Sequence, residues 1–382
     1  MDNRIPFGAL FINEWIKIWN RKRRLAIWAT LVIVLIMVAL AWQSQRQNFN
    51  SQQQQVAGLT QEISSLRQAM SAAPKKVRPS MRMQIQQLEQ QLNSLKQNGG
   101  AIPSDSAQIS SLKSSLSQEP SFQRGSTLEQ IAVIKYDQAH GILFNSGGDG
   151  GWRLVGQAFG SSAAIIYALL TVGLVGDSVA GEREQGTIAF LFLHTGSRPK
   201  AYLAKMAAAI AMVWSVVAAG ATATLLLGGL ALGWGNPLGG QAVAVKVGEA
   251  ALSNTHEVFP AVQVFHIIPQ WSYDVLAVVL TMASLALVTS VLVAISRLFK
   301  SPTVSVIIGI VVVLSGMLVR LAGAVGMVDP MAYYPLLADF NGQLAQQNNS
   351  IANSLINGAL VFALWALVAT VYGAETFGKI EP

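Results

Sequence analysis

Six long apolar runs constrain this chain more than any other feature of its sequence. Residues 25–42, 154–176, 206–234, 275–295, 303–328 and 351–372 contain one charged side chain between them, Arg320. Each approaches or exceeds the ~20 residues that carry a helix across a hydrocarbon core about 30 Å thick. Hydrocarbon offers no water to an exposed N–H or C=O, so such runs must satisfy their backbone internally, as helices. The expectation is an all-α, polytopic membrane protein with six transmembrane helices. Only 12% of its residues are charged, about half the share in a soluble domain. That argues against a soluble enzyme. With no cysteine, thiol nucleophiles, disulfides and thiolate metal sites are excluded.

The formal net charge of +7 is a topology signal rather than a nucleic-acid patch. With the N-terminus inside, segments 1–24, 177–205, 296–302 and 373–382 hold thirteen Lys and Arg, against Lys246 and Arg320 in the short outer segments. Basic residues concentrate in cytoplasmic loops, so both termini are expected in the cytoplasm of a plasma-membrane protein. Arg21, Lys22, Arg23 and Arg24 precede the first run as in a secretory leader. That run exceeds the usual ~7–15 apolar residues and no small-x-small site follows, so a retained first span is expected.

The segment 43–153, placed outside, holds 20 glutamines. Within it Val56, Leu59, Ile63, Leu66 and Met70 step 3-4-3-4, and Met81, Ile85, Leu88, Leu92 and Leu95 resume the seam after Pro74 and Pro79. Ile109, Leu112 and Leu116 continue it. An apolar residue every 3.5 positions is a coiled-coil pattern. A helical, coiled-coil-like domain between the first and second spans is expected, with 147–151 as a flexible glycine joint. A Gln-rich linker is the plainer alternative.

No catalytic motif stands in the chain. It has no GxxxxGK[ST] phosphate loop and no HExxH, so neither ATP hydrolysis nor zinc proteolysis is expected of it. His256, Glu257 and His266 share one outer loop and could hold a metal, but their spacing favours solvated loop residues. Asp177 and Asp274 fall at the ends of spans, where water is available. No catalytic, metal or cofactor residue is therefore assigned.

The informative segment is 177–205. Glu182, Gly186, Thr187, the apolar stretch 188–193, Ser197, Arg198 and Lys205 stand in a register that resembles ABC-2 type permeases, the membrane halves of one class of ATP-binding-cassette transporter. Thr195 stands where that family usually has proline, and Pro199 follows the arginine instead. Phe7, Leu10, Phe11, Glu14, Trp15 and Ile18 at helical spacing, with Lys17, are similar to the family's amphipathic connecting helix.

The resemblance implies a permease of an exporter, with 1–24 as connecting helix, 25–42 as first span and 154–176 as second. It implies a coupling-helix turn at 177–205, spans three to six across 206–372 and a tail at 373–382. Glu182, Arg183, Glu184, Gly186, Thr187, Ser197 and Arg198 would meet a separate ABC ATPase subunit, present in two copies and carrying the ATP–Mg. The other partners would be a second permease copy or a relative, and the bilayer; nucleic acid would not be one. Arg320 either snorkels to the headgroups or faces the translocation path. A membrane-anchored sensor with a coiled-coil stalk is the alternative, disfavoured because a sensor needs only one or two spans.

Overall fold

The computed structural model describes residues 6–72, 85–86, 88–89, 105–116, 119–120, 124–142, 150–160, 164–188, 197–251, 258–320, 329–343 and 355–377. Its elements are α1 (Phe7–Ala72), α2 (Asp105–Leu116), α3 (Arg124–Ala139), α4 (Gly151–Gly160), α5 (Ala164–Val175), α6 (Ala180–Glu184) and α7 (Arg198–Leu232). There follow β1 (Gly240–Ala251), β2 (Val258–Pro269), α8 (Gln270–Ser296) and α9 (Pro302–Arg320). A 3₁₀ turn (Pro330–Tyr333), α10 (Leu336–Phe340) and α11 (Leu355–Phe377) complete the order.

Among the described residues five helical segments are long and apolar enough to cross a membrane: Phe7–Ser44, Ile165–Glu184, Arg198–Leu232, Gln270–Ser296 and Leu355–Phe377. Of the fifth run, the searched residues include a shorter apolar helix, Pro302–Gly316. The protein is thus a mostly helical membrane protein. Helices α1, α4, α5, α7, α8, α9 and α11 share one apolar core, in which Phe159 stacks on Tyr167 at 4.8 Å and Tyr202 meets Phe377 at 5.4 Å.

Several boundaries differ from the expected ones. The connecting helix, first span and start of the outer domain, expected as three pieces over 1–24, 25–42 and 43 onward, form one 66-residue helix, roughly 100 Å long. No proline, the residue that most strongly interrupts a helix, stands between Pro6 and Pro74. The run 154–176 forms two helices, α4 and α5, on either side of 161–163, which lie outside the described residues. Helix α11 runs on to Phe377, absorbing the start of the tail expected at 373.

The glycines expected to form a flexible joint are packed where they are described. A Cβ on Gly151 would stand 2.7 Å from the Gly229 nitrogen and the Leu225 carbonyl oxygen, and one on Gly150 2.6 Å from Gly235 Cα. Residues 147–149 lie outside the described residues.

The expectation of an all-α protein fails in one place. Residues 240–269, expected as part of an outer loop, contain an antiparallel hairpin of β1 and β2. Val243, Val245 and Val247 alternate with other residues there, the period-2 pattern of a strand with one buried face. The ladder shifts register between Val243 and Lys246, where Ala244 has φ +53°, a bulge conformation. The hairpin rests on α3: the Gly240 N–H donates to Asp137 Oδ1 at 2.7 Å, and Gly125 abuts Val262.

In 43–153 the described seam residues cluster in two places. Ile63 and Ile85 are buried with Leu59, Leu66 and Leu88 beside them, and Ile109 packs with Ile131, Ile134 and Leu112. Arg67 and Glu89 form an exposed ion pair across the first cluster at 2.5 Å. Val56, Met70, Met81, Leu92 and Leu95 have side chains outside the described part.

Candidate functional site: a charged cluster at one end of the bundle

The turn between α5 and α7 is fastened by groups from three other helices. At its start the backbone N–H groups of Val179 and Ala180 are open helix-terminal donors. Both donate to Ser296 Oγ, at 3.1 and 3.0 Å, a cap supplied by the last residue of α8. Ser305 Oγ of α9 donates to the Gly176 carbonyl at 2.5 Å.

The short helix α6 closes by geometry that explains Gly186. The Thr187 N–H donates to the Glu182 carbonyl at 2.9 Å and the Gly186 N–H to the Arg183 carbonyl at 3.1 Å. That pair of bonds is the Schellman stop, which needs a left-handed residue in the Gly186 position. Gly186 has φ +67°. A Cβ there would meet nothing within 4 Å, so the glycine serves the backbone and not a close approach within this chain.

Four charged side chains then lock the turn to α1 and α7. Lys205 Nζ lies 2.5 Å from Glu14 Oε2 and 2.8 Å from Glu182 Oε1. Lys17 Nζ lies 2.6 Å from Glu14 Oε1 and 3.8 Å from Glu182 Oε1. The Lys205 and Glu14 side chains are each 2% exposed. Two carboxylates against two ammonium groups leave the cluster neutral, the condition under which buried charge is tolerated. A second tie joins Arg21 and Lys22 to Asp177 at 2.8 and 3.2 Å. A third joins Arg183 Nη1 to the Arg297 carbonyl at 3.0 Å.

These contacts divide the residues expected to face a partner. Glu182 and Arg183 point into the bundle, whereas Glu184, Gln185, Gly186 and Thr187 are exposed. Glu14 and Lys17 join Glu182 in the cluster, and Trp15 stacks on Trp19 at 6.0 Å against the apolar core. Ser197 and Arg198 open α7 and are half-buried. Residues 189–196 and the side chain of Arg320 lie outside the described part.

Sequence reasoning missed three members. In the sequence Lys205 reads as the end of a motif rather than the hub of a cluster, Asp177 as a span end, and Ser296 as no candidate at all. A lysine two turns into α7, at the edge of the apolar run that starts at Met206, is the available signal for Lys205.

The sequence model of a family described as "ABC-2 family transporter protein" matches residues 9–379. The chain belongs to the ABC-2 transporter family. No curated protein and no solved structure matches it. An ABC-2 permease domain is a membrane component and not an ATPase, and membership implies partnership with an ABC ATPase.

Proposed function

We propose that this ABC-2 protein is the permease of an exporter, and that the turn at 177–205 couples it to a separate ATPase. The observation that carries the reading is the division of the turn. Its described residues 184–187 are exposed, while those before them are bound to α1, α7 and α8. A tip that moves only with its bundle is what a lever needs, because two positions must differ in their contacts with the partner.

In this reading Glu182, Arg183 and Glu14 transmit motion, and Glu184, Gly186, Thr187, Ser197 and Arg198 form or flank the docking surface. The full assembly has two permease chains and two ATPases, which hold the ATP–Mg. Six spans cross the plasma membrane with both termini cytoplasmic, Pro302–Arg320 serving as the fifth. Residues 43–153 form an extracytoplasmic helical domain, supported by the two seam clusters.

Glu184→Arg should weaken capture of the ATPase only modestly, since an exposed charge pair is worth ~0–1 kcal/mol. Glu184→Arg with Thr187→Trp should abolish both capture and stimulated ATP hydrolysis, with membrane insertion unchanged. Full capture by the inserted double variant would remove the coupling assignment. Topology has its own test. Cysteines placed at Ser65 and Lys200, both exposed, should respond oppositely to an impermeant thiol reagent on intact cells, with Ser65→Cys labelled. Labelling of Lys200→Cys alone would invert the orientation.

A further inference from the structure

A cleft of 740 Å³ opens between α8, α9 and α11. Its walls are apolar, including Val312 and Val319 of α9 and Trp365 and Val368 of α11, and one end is closed by Arg297. Arg297 is 4% exposed. Its Nη1 makes one long contact, 3.4 Å to the Tyr372 carbonyl, and its guanidinium carbon lies 5.0 Å from the Tyr372 ring centre. Among the described residues its Nε has no hydrogen-bond partner and no carboxylate pairs with it. A buried cation in that condition is costly unless an anion arrives.

The lining and its charges suit one kind of occupant. The far end of the cleft is formed by Asp329, Pro330 and Met331, and Met331 abuts Gly316 of α9. The lining residues of α9, Val312 to Val319, cover roughly 10 Å of helix rise, as do Trp365 to Tyr372 of α11, so the cleft is a short slot between the helices. Leu298 and Leu318, on α9 and the turn before it, are 60% and 68% exposed, so the surface around the cleft is open to hydrocarbon. Arg297 at one end and Asp329 at the other orient an anionic amphiphile, head toward Arg297. Asp329 is itself engaged, accepting from the Met331 N–H at 2.8 Å. The Arg183 side chain, donating to the Arg297 carbonyl, adds a second positive group at the head end.

We propose that this cleft binds an anionic phospholipid of the adjoining leaflet, one acyl chain lying between α9 and α11 and the phosphate held by Arg297. Bound there, the lipid touches the residue to which the coupling turn is tied through Arg183. The proposal goes beyond the transport reading, and its test needs no ATPase.

The full-length protein is titrated in detergent micelles with phosphatidylglycerol or phosphatidylcholine brominated on the acyl chains. Quenching of Trp365 is isolated from that of the other tryptophans by difference from Trp365→Phe. Phosphatidylglycerol should quench at roughly tenfold lower fraction than phosphatidylcholine, the scale of one charge-assisted hydrogen bond. Arg297→Gln should erase that preference, and Ser315→Phe, which fills the cleft, should reduce quenching by both lipids. Equal quenching of the native protein by both lipids would mean annular lipid only and would overturn the proposal. No quenching of Trp365 by either would mean that protein, such as a second copy, covers the cleft, and would overturn it equally. Should Arg297→Gln fail to fold, the headgroup comparison on the native chain and Ser315→Phe still decide.

Discussion

Lys205→Met is expected to lower the stability of the folded protein by about 3–5 kcal/mol, the scale for removing one partner from a buried ion pair. The side chain is 2% exposed and bridges Glu14 and Glu182, so its loss strands two carboxylates with only Lys17 nearby. Burying an unpaired carboxylate costs more than the lost contact itself. Adding Glu14→Gln to Lys205→Met should therefore recover part of the loss, because it removes one stranded charge. Glu182→Gln alone should cost less than Lys205→Met, since Glu14 and Lys205 remain paired. Unfolding of the detergent-solubilised chain, followed by tryptophan fluorescence, measures all three. If Lys205→Met costs less than about 1 kcal/mol, the cluster does not fasten the turn, and the lever loses its root.

The cluster also shows which parts of the protein a sequence can disclose. The apolar runs behind the five candidate spans among the described residues were legible because bilayer thickness fixes how many apolar residues a span needs. The continuity of α1 was legible too, in the absence of any proline from 7 to 73, yet the change from basic to apolar to Gln-rich composition suggested boundaries. Composition marks environment, and a helix crosses environments without breaking. The hairpin was present as alternating valines at 243, 245 and 247, a weaker pattern than the apolar runs on either side. Lys205 was not legible as a hub because its partners lie 191 and 23 residues away in sequence. Pairing at such separations is set by how helices pack. In the same way, the motif at 182–198 does not disclose which of its charges face inward.

The second large effect is expected where α4 crosses α7. The N–H groups of Gly151 and Trp152 donate to the carbonyls of Gly233 and Trp234 at 2.9 and 3.3 Å, which draws the start of α4 onto the end of α7. At that distance a Cβ on Gly151 would meet Gly229 N, Leu225 O and Gly229 Cα at 2.7, 2.7 and 2.9 Å. All three are backbone atoms of a helix and cannot turn aside as a side chain would. Small residues are what allow membrane helices to approach this closely. Gly151→Val should therefore push the helices apart and cost about 1–3 kcal/mol or more, the range for overpacking. Gly173→Ala is the matched control. Its added methyl would touch only Leu25 Cδ2 at 3.9 Å, an ordinary contact, and it replaces a flexible residue inside α5 with a better helix former. It should be neutral or slightly stabilising, within about 0.5–1 kcal/mol. Both variants are read by the same unfolding measurement. Equal stabilities for Gly151→Val and Gly173→Ala would show that α4 does not sit against α7 at this distance, and the arrangement of 150–160 in the bundle would have to be abandoned.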